Sequence, residues 1–473
     1  MKRHICSWSR VVCAGAVMLL LMAAQGCASY YQSNQSFNEE FESGDLEQAL
    51  DALRKNAHDG RGKKEFLYLV NNGLVLSLLG RYEESNEFFE NAYLFGEDYR
   101  RNYLNEAASY LTNPMFTTYK GEDHEHLMLL YYKAVNYLKM NRYDEALVEC
   151  RRLNIRLQQL SDRYPAGNRY REDAFVHNLM GIIYEADRDY NNAFIAYRNA
   201  YRIYQEAYQP LFGVGAPEQL KKDLVRAALR SGMADEYAHW KDVLGVDATL
   251  PSSEAAELVF FWHNGLGPIK SEWSVNFIIT RQQNWVYFKS PDLDLQFPFN
   301  LESYDEKDRN DLANLEMFRV AFPKYVARHP YYERASLAAG GSTYALELAE
   351  DINKVAFQSL AQRMHLEFSK ALVRAALKKV AEHQLKKSDK TLGSVLGMIN
   401  ALTEKADTRN WQTLPYEIRY TRVPMKVGEN KVIFTLQAPR EEGAHEFVYQ
   451  AKAGQTLFHT FTSLESQYPS YSY

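Results

Sequence analysis

GLVLSLLGRYEESNEFFENA, residues 73–92, decides how the first half of this 473-residue chain is built. Gly73 lies in a first apolar run, Gly80-Arg81 interrupts it, and a second run carries Ser85, Phe89 and Ala92 at helix spacing. The same offsets recur in AVNYLKMNRYDEALVECRRL (134–153), through Ala134, Tyr137, Tyr143, Ala146 and Cys150. They recur again in GIIYEADRDYNNAFIAYRNA (181–200), through Gly181, Tyr184, Tyr190, Ala193, Tyr197 and Ala200. A weaker copy, FNEEFESGDLEQALDALRKN (37–56), keeps Gly44, Leu46, Ala49 and Leu53. Small residues in this pattern let two helices approach closely, and large ones fill the groove of the next pair.

This pattern resembles the tetratricopeptide repeat, a helix-turn-helix unit of about 34 residues. Ala49, Ser85, Ala146 and Ala193 are 36, 61 and 47 residues apart, so loops or extra helical turns must take up the added length. Three clear repeats and one degenerate copy are expected. Closing helices should follow near residues 219–228 and 234–243.

After Gly245 the texture changes. ELVFFWHNG, WSVNFIIT, NWVYFKS and DLQFPFN are short β-branched and aromatic runs between Gly, Pro or Asn. YERASLAAGGSTYALEL reads as two strands around Gly340-Gly341. A helical stripe then runs over about 348–387 through Ile352, Val355, Leu360, Met364, Phe368, Leu372 and Ala375. Strands return at YEIRYTRV, KVIFTLQ, HEFVYQA and TLFHTFT. The fold expected is α+β: an all-α repeat domain over 27–245, then a β-rich α+β domain over 246–473 with one long helix.

The first 26 residues read as a signal peptide: Lys2, Arg3 and Arg10 precede a short apolar run, then small residues lead to Gly26-Cys27. Ala24-Gln25-Gly26-Cys27 resembles the bacterial lipobox. That resemblance implies cleavage before Cys27 and acylation of its thiol with chains such as palmitate, each buried CH2 contributing about 0.8 kcal/mol to membrane anchoring. By the same resemblance, Ala28 after the cysteine implies the outer membrane, periplasmic side. With Cys6 and Cys13 removed and Cys27 lipidated, Cys150 remains as a single thiol that cannot form an intramolecular disulfide.

Removing Lys2, Arg3 and Arg10 takes the formal charge from −5 to −8, which gives no pull toward nucleic acid. The 34 tyrosines argue for a folded chain over a disordered one. The whole plan resembles a family of largely uncharacterised bacterial lipoproteins with a repeat domain and a β-rich module. Besides Cys27 and the repeats, NGLGP (264–268) and DTRNWQTLP (407–415) carry the resemblance. It implies location and architecture, and no activity.

No GxSxG, P-loop, HExxH or CxxC motif is present, so no catalytic residue, cofactor or metal ligand is assigned. In DHEH (123–126), His124 and His126 would point about 200° apart on a helix, and the segment reads as a helix start capped by Asp123. His263 follows an apolar strand with no nucleophile motif beside it. Cys150 falls at a core position of its repeat. Arg374, Lys378, Lys379, Lys386 and Lys387 precede LGSVLGMINAL (392–402), which fits either a membrane-contacting hairpin or a core helix.

Aligning the repeats turns Tyr131, Lys139, Asn178 and Glu185 toward the concave face. Mixed charge with tyrosine suits a peptide partner, while the protein's own C-terminal domain could equally fill this groove. The leading functional reading is a non-enzymatic, lipid-anchored scaffold that binds another cell-envelope protein through its repeat groove. The alternative is binding or processing of envelope glycan by the β-rich domain, with Trp262, Trp273, Trp285 and Trp411 as platforms for sugar rings.

Overall fold

The structure is a computed structural model and describes residues 30–101, 117–161, 172–248, 255–282, 285–290, 295–300, 317–361, 364 and 406–468. Cys27 and the leader lie outside the described residues, as do the long helix beyond 364, its basic cluster and residues 392–402.

The helices come in antiparallel pairs: α1 (Gln35–Glu42) with α2 (Leu46–Lys55), α3 (Glu65–Leu78) with α4 (Tyr82–Arg101), α5 (Asp123–Lys139) with α6 (Tyr143–Ser161), α7 (Ala174–Ala186) with α8 (Tyr190–Ile203). The closing pair is α9 (Glu218–Arg230) and α10 (Ala234–Leu244). Every pair is joined by the same turn. Gly44, Gly80, Asn141, Arg188 and Gly232 each take a positive φ, between 57° and 82°. The following amide reaches back to the last helical turn, as in Arg81 N–H to Leu76 O at 2.9 Å and Asp189 N–H to Tyr184 O at 2.8 Å.

The small positions work as the pattern requires. A Cβ on Gly73 would stand 2.7 Å from the Phe89 ring, and one on Gly181 would stand 2.4 Å from the Tyr197 ring. The Ser85 hydroxyl donates to Gly73 O at 2.6 Å. Ala146 and Ala193 are fully buried at the matching places. Part of the extra repeat length is helical, since α4 and α6 have 20 and 19 residues against 14 in α8.

Helix gives way to strand between Leu244 and Ala256. Three four-stranded sheets follow among the described residues. The first, in the order β12 (Thr456–Ser463), β1 (Ala256–Asn264), β9 (Glu417–Met425), β8 (Glu347–Glu350), pairs β1 parallel to β12 and antiparallel to β9. The second runs β11 (Glu442–Ala451), β10 (Gly428–Gln437), β6 (Arg334–Ala339), β7 (Ser342–Ala345), with Gly340-Gly341 at the β6–β7 turn in positive φ. The third runs β4 (Leu295–Asn300), β3 (Trp285–Ser290), β2 (Ile269–Gln282), β5 (Met317–Val326).

The central strands β1 and β9 are buried on both faces, which explains the unbroken apolar run of β1. Leu258, Phe260 and Trp262 pack toward the second sheet with Val432 and Phe434. Val259 and Phe261 alternate to the other face and join one core with the repeat helices, together with Ile418 and Tyr420 of β9. The chain is α+β, and its helical and β-rich parts share a core.

The start of the long helix is corrected. Leu348 lies in β8, paired with Arg419, and helix begins at residue 352. Asp351 sets that start by accepting the Lys354 amide at 2.8 Å. β5 was not anticipated.

Candidate functional site

The concave face of the repeats is the natural candidate, and the protein covers it with its own chain. Tyr131 on α5 is 2 % exposed, and its hydroxyl meets His263 Nε2 of β1 at 2.8 Å. Asn178 on α7 is fully buried. Glu185 is 2 % exposed and pairs with Arg422 of β9 at 3.1 Å. Lys139 is half-buried, and burial lowers its ammonium pKa to about 8. Tyr131, Asn178 and Glu185 are buried and Lys139 is half-buried, so the four do not line an open groove. The alternation of β1 and β9 aims His263, Phe261, Tyr420 and Arg422 at them, so the sheet takes the place of a peptide partner.

A second occupant is extended chain. DTRNWQTLP, quoted above only for a family resemblance, crosses the repeats as a buried strap. Thr408 Oγ1 accepts from Tyr30 N at 3.2 Å, and Arg409 donates to the Lys63 and Thr117 carbonyls at 2.9 Å each. The Trp411 amide donates to Glu125 Oε1 at 2.7 Å, and the Thr413 hydroxyl donates to Asn71 Oδ1 at 2.8 Å. The Trp411 ring is 1 % exposed, 6.0 Å from Phe89 and 6.1 Å from Tyr132. Lys270 of β2 adds an ion pair to Glu122.

Glu125 anchors this strap and the helix start alike. It also accepts the Tyr119 hydroxyl at 2.9 Å and the Glu122 amide at 2.9 Å. Burial raises its carboxyl pKa to about 7, against the lowering effect of the Trp411 amide. The α5 cap is thus Glu122, one residue before the expected Asp123. His126 Nε2 meets Lys120 O at 2.8 Å, while the His124 ring stands edge-on to Tyr325. Among the described residues no group of three His, Cys, Asp or Glu is placed to hold a metal ion.

His263 is sealed at 2 % exposure, and burial lowers its pKa to about 3, so its imidazole stays neutral. Cys150 is buried, and burial pushes its thiol well above the ordinary range, which makes it unreactive. Trp262 and Trp411 are buried in the core and offer no platform to a sugar. Trp273 packs on Phe322, and Trp285 is 39 % exposed.

At the far end of the concave face lies a charge junction that sequence inspection missed. Arg226 of α9 pairs with Glu185 and Asp223 at 2.8 Å each, Arg230 with Glu185 at 3.3 Å, and Arg422 with Asp223 at 3.3 Å. Arg422 also pairs with Glu257 of β1. The Tyr197 hydroxyl donates to Glu185 at 2.9 Å. Although burial opposes ionisation, the surrounding arginines hold the Glu185 carboxyl well below the usual carboxylate range. No sequence signal links these residues, because each is an ordinary surface charge until the fold brings them together.

No protein-family model matches the chain. No curated protein matches it significantly. Among solved structures, BtubC from P. vanneervenii is 17% identical with a TM-score of 0.33, covering 52% of this chain and 89% of its own. MamA is 13% identical with a TM-score of 0.28, covering 44% and 91%. A tetratricopeptide repeat protein from Parabacteroides merdae is 13% identical with a TM-score of 0.29, covering 45% and 66%. Likenesses at this level assign no activity and no partner.

Proposed function

We propose that this protein is a non-catalytic scaffold, anchored in the outer membrane by lipid on Cys27 and facing the periplasm, that binds another envelope protein. The observation carrying this reading is the filled concave face. Repeat helices, strap and sheet form one packed unit, in which the buried histidine and thiol are both shielded from solvent. A rigid body of this kind is suited to holding a partner in place rather than transforming a substrate.

The partner then meets the outer surface. Leu94, Val148, Ile155 and Ile195 are large exposed aliphatic residues, and all sit on the second helices α4, α6 and α8. Val148 and Ile155, seven residues apart, share one face of α6. The Val148–Ile155 face of α6 is the exposed apolar pair to test first as an association surface.

A photoreactive residue at Ile155 or Ile195, crosslinked in cells, tests this reading. A single dominant envelope protein in the adduct supports the scaffold, and Cys27→Ser should move the protein from the membrane to the soluble fraction. Adducts of no consistent partner from both positions, or membrane pelleting unchanged by Cys27→Ser, would count against it. The same probe at Asn178 should give adducts within the chain alone.

A further inference from the structure

A cavity of about 490 Å³ opens beside the charge junction, between the last repeat turns and the ends of β1, β9 and β12. Five cationic side chains line it, Arg188, Lys222, Arg226, Arg230 and Arg422, against two carboxylates, Glu185 and Glu257. Asp223 stands behind the wall as a third acid, 3.3 Å from Arg422. The three inner arginines are therefore matched by three carboxylates. Arg188 and Lys222 bring positive charge in excess of that balance.

Arg188 stands out by its backbone as well as its charge. It occupies the left-handed turn position that glycine holds at residues 44, 80 and 232 and asparagine holds at 141. A long side chain with positive φ is strained, and such strain gathers at binding sites. Arg188 makes no ion pair among the described residues, and it lies at the mouth of a cavity whose inner wall is already cationic. Lys222 is exposed on α9 at the same mouth, with its charge felt by Glu347.

The inner ion pairs fix the guanidinium planes. An arginine carries five N–H donors, so donors remain after its carboxylate is satisfied. The Arg422 guanidinium is held at Nε by Asp223 at 3.3 Å and at its terminal nitrogens by Glu185 and Glu257. The volume falls in the range of about 300–1,000 Å³ typical of small-molecule sites, which tend to lie between domains. It far exceeds what an inorganic ion needs. Tyr190, with Arg230 5.1 Å above its ring, and Tyr344 add flat surface.

We infer that this cavity binds a small organic anion, a sugar-sized molecule bearing one phosphate or carboxylate group, with Arg188 and Lys222 holding the anionic end. The site does not depend on the scaffold reading, since it needs neither the lipid nor a protein partner.

Isothermal titration of the full chain in detergent at low salt, with glucose 6-phosphate, glucuronate and inorganic phosphate as probes, tests this. One sugar acid should bind saturably at one site per chain, more tightly than inorganic phosphate. Preference for glucose 6-phosphate would identify phosphate as the recognised group, and preference for glucuronate would identify carboxylate. Arg188→Asn keeps a turn that Asn141 already tolerates, and Lys222→Gln changes an exposed position. Each should weaken binding about tenfold, the loss of one charge-assisted hydrogen bond, with no fall in melting temperature. Absence of saturable binding by both sugar acids, or equal binding by the double variant, would overturn the site. Inorganic phosphate binding as tightly as both sugar acids would overturn the organic part of the ligand.

Discussion

The backbone amide of Trp411 donates to Glu125 Oε1 at 2.7 Å across 286 residues of sequence. One carboxylate thereby joins the start of a repeat helix to the strap lying over it, and the Trp411 ring seals the contact between Phe89 and Tyr132. Trp411→Ala should cost about 3–5 kcal/mol, because the ring is fully enclosed and its loss leaves a cavity in a shared core. Chemical denaturation read by circular dichroism would measure it. A loss below about 1 kcal/mol would mean that the strap does not lie in the groove.

Glu125 gives the strap a pH dependence of definite sign. Its folded pKa of about 7 lies above the unfolded carboxylate value of 4.5, so the folded state holds the proton more tightly. This group's contribution is fully present below pH 4.5 and is lost as pH rises through 7. Glu125→Gln should flatten the fall in urea midpoint between pH 5 and pH 8. An unchanged slope would show that other groups dominate this window.

Gly181→Ala tests the repeat register. The new methyl would stand 2.4 Å from the Tyr197 ring, whose hydroxyl is already committed to Glu185. Overpacking should cost about 1–3 kcal/mol in spite of the better helix propensity of alanine. Ala193→Glu, which places a carboxylate at a fully buried position, should cost more. Unchanged melting in both variants would refute the register.

The turn at Gly80 was legible because local chemistry determines it: small residues, a residue tolerant of positive φ, and helical spacing on either side. The sheet was legible strand by strand for a similar reason, with two instructive exceptions. β5, MFRVAFPKYV, was not read as a strand, and its Pro323 lies opposite Glu272 in the paired register. The ALELAED segment fits both periods over so few residues, so Leu348 was read both as the end of a strand run and as the start of the helix, and β8 claims it. That the chain fills its own groove was one of two readings the sequence left open, but the residues that fill it were not legible. The strap has no periodicity, and its partners lie hundreds of residues away. Arg422 meets Glu185 because β9 happens to cross α7, a tertiary fact with no local mark in the sequence.

Glu185 responds to pH in the opposite sense to Glu125. Arg226 and Arg422 beside it hold its folded pKa below the unfolded 4.5, so its stabilisation is present above pH 4.5 and is lost as pH falls through the folded value. Removing this carboxylate would leave Arg226, Arg230 and Arg422 with Asp223 and Glu257 as the remaining acids, and a buried guanidinium without its counter-charge is costly. Glu185→Gln should therefore destabilise the chain by about 3–5 kcal/mol at pH 7. The loss should shrink in acid, where the wild type surrenders the same interaction. Urea midpoints for both proteins at pH 7 and at about pH 2.5, well below the unfolded value of 4.5, would read the difference. A constant gap across that range would mean that Glu185 acts through packing and its Tyr197 hydrogen bond, with the ion pairs contributing little.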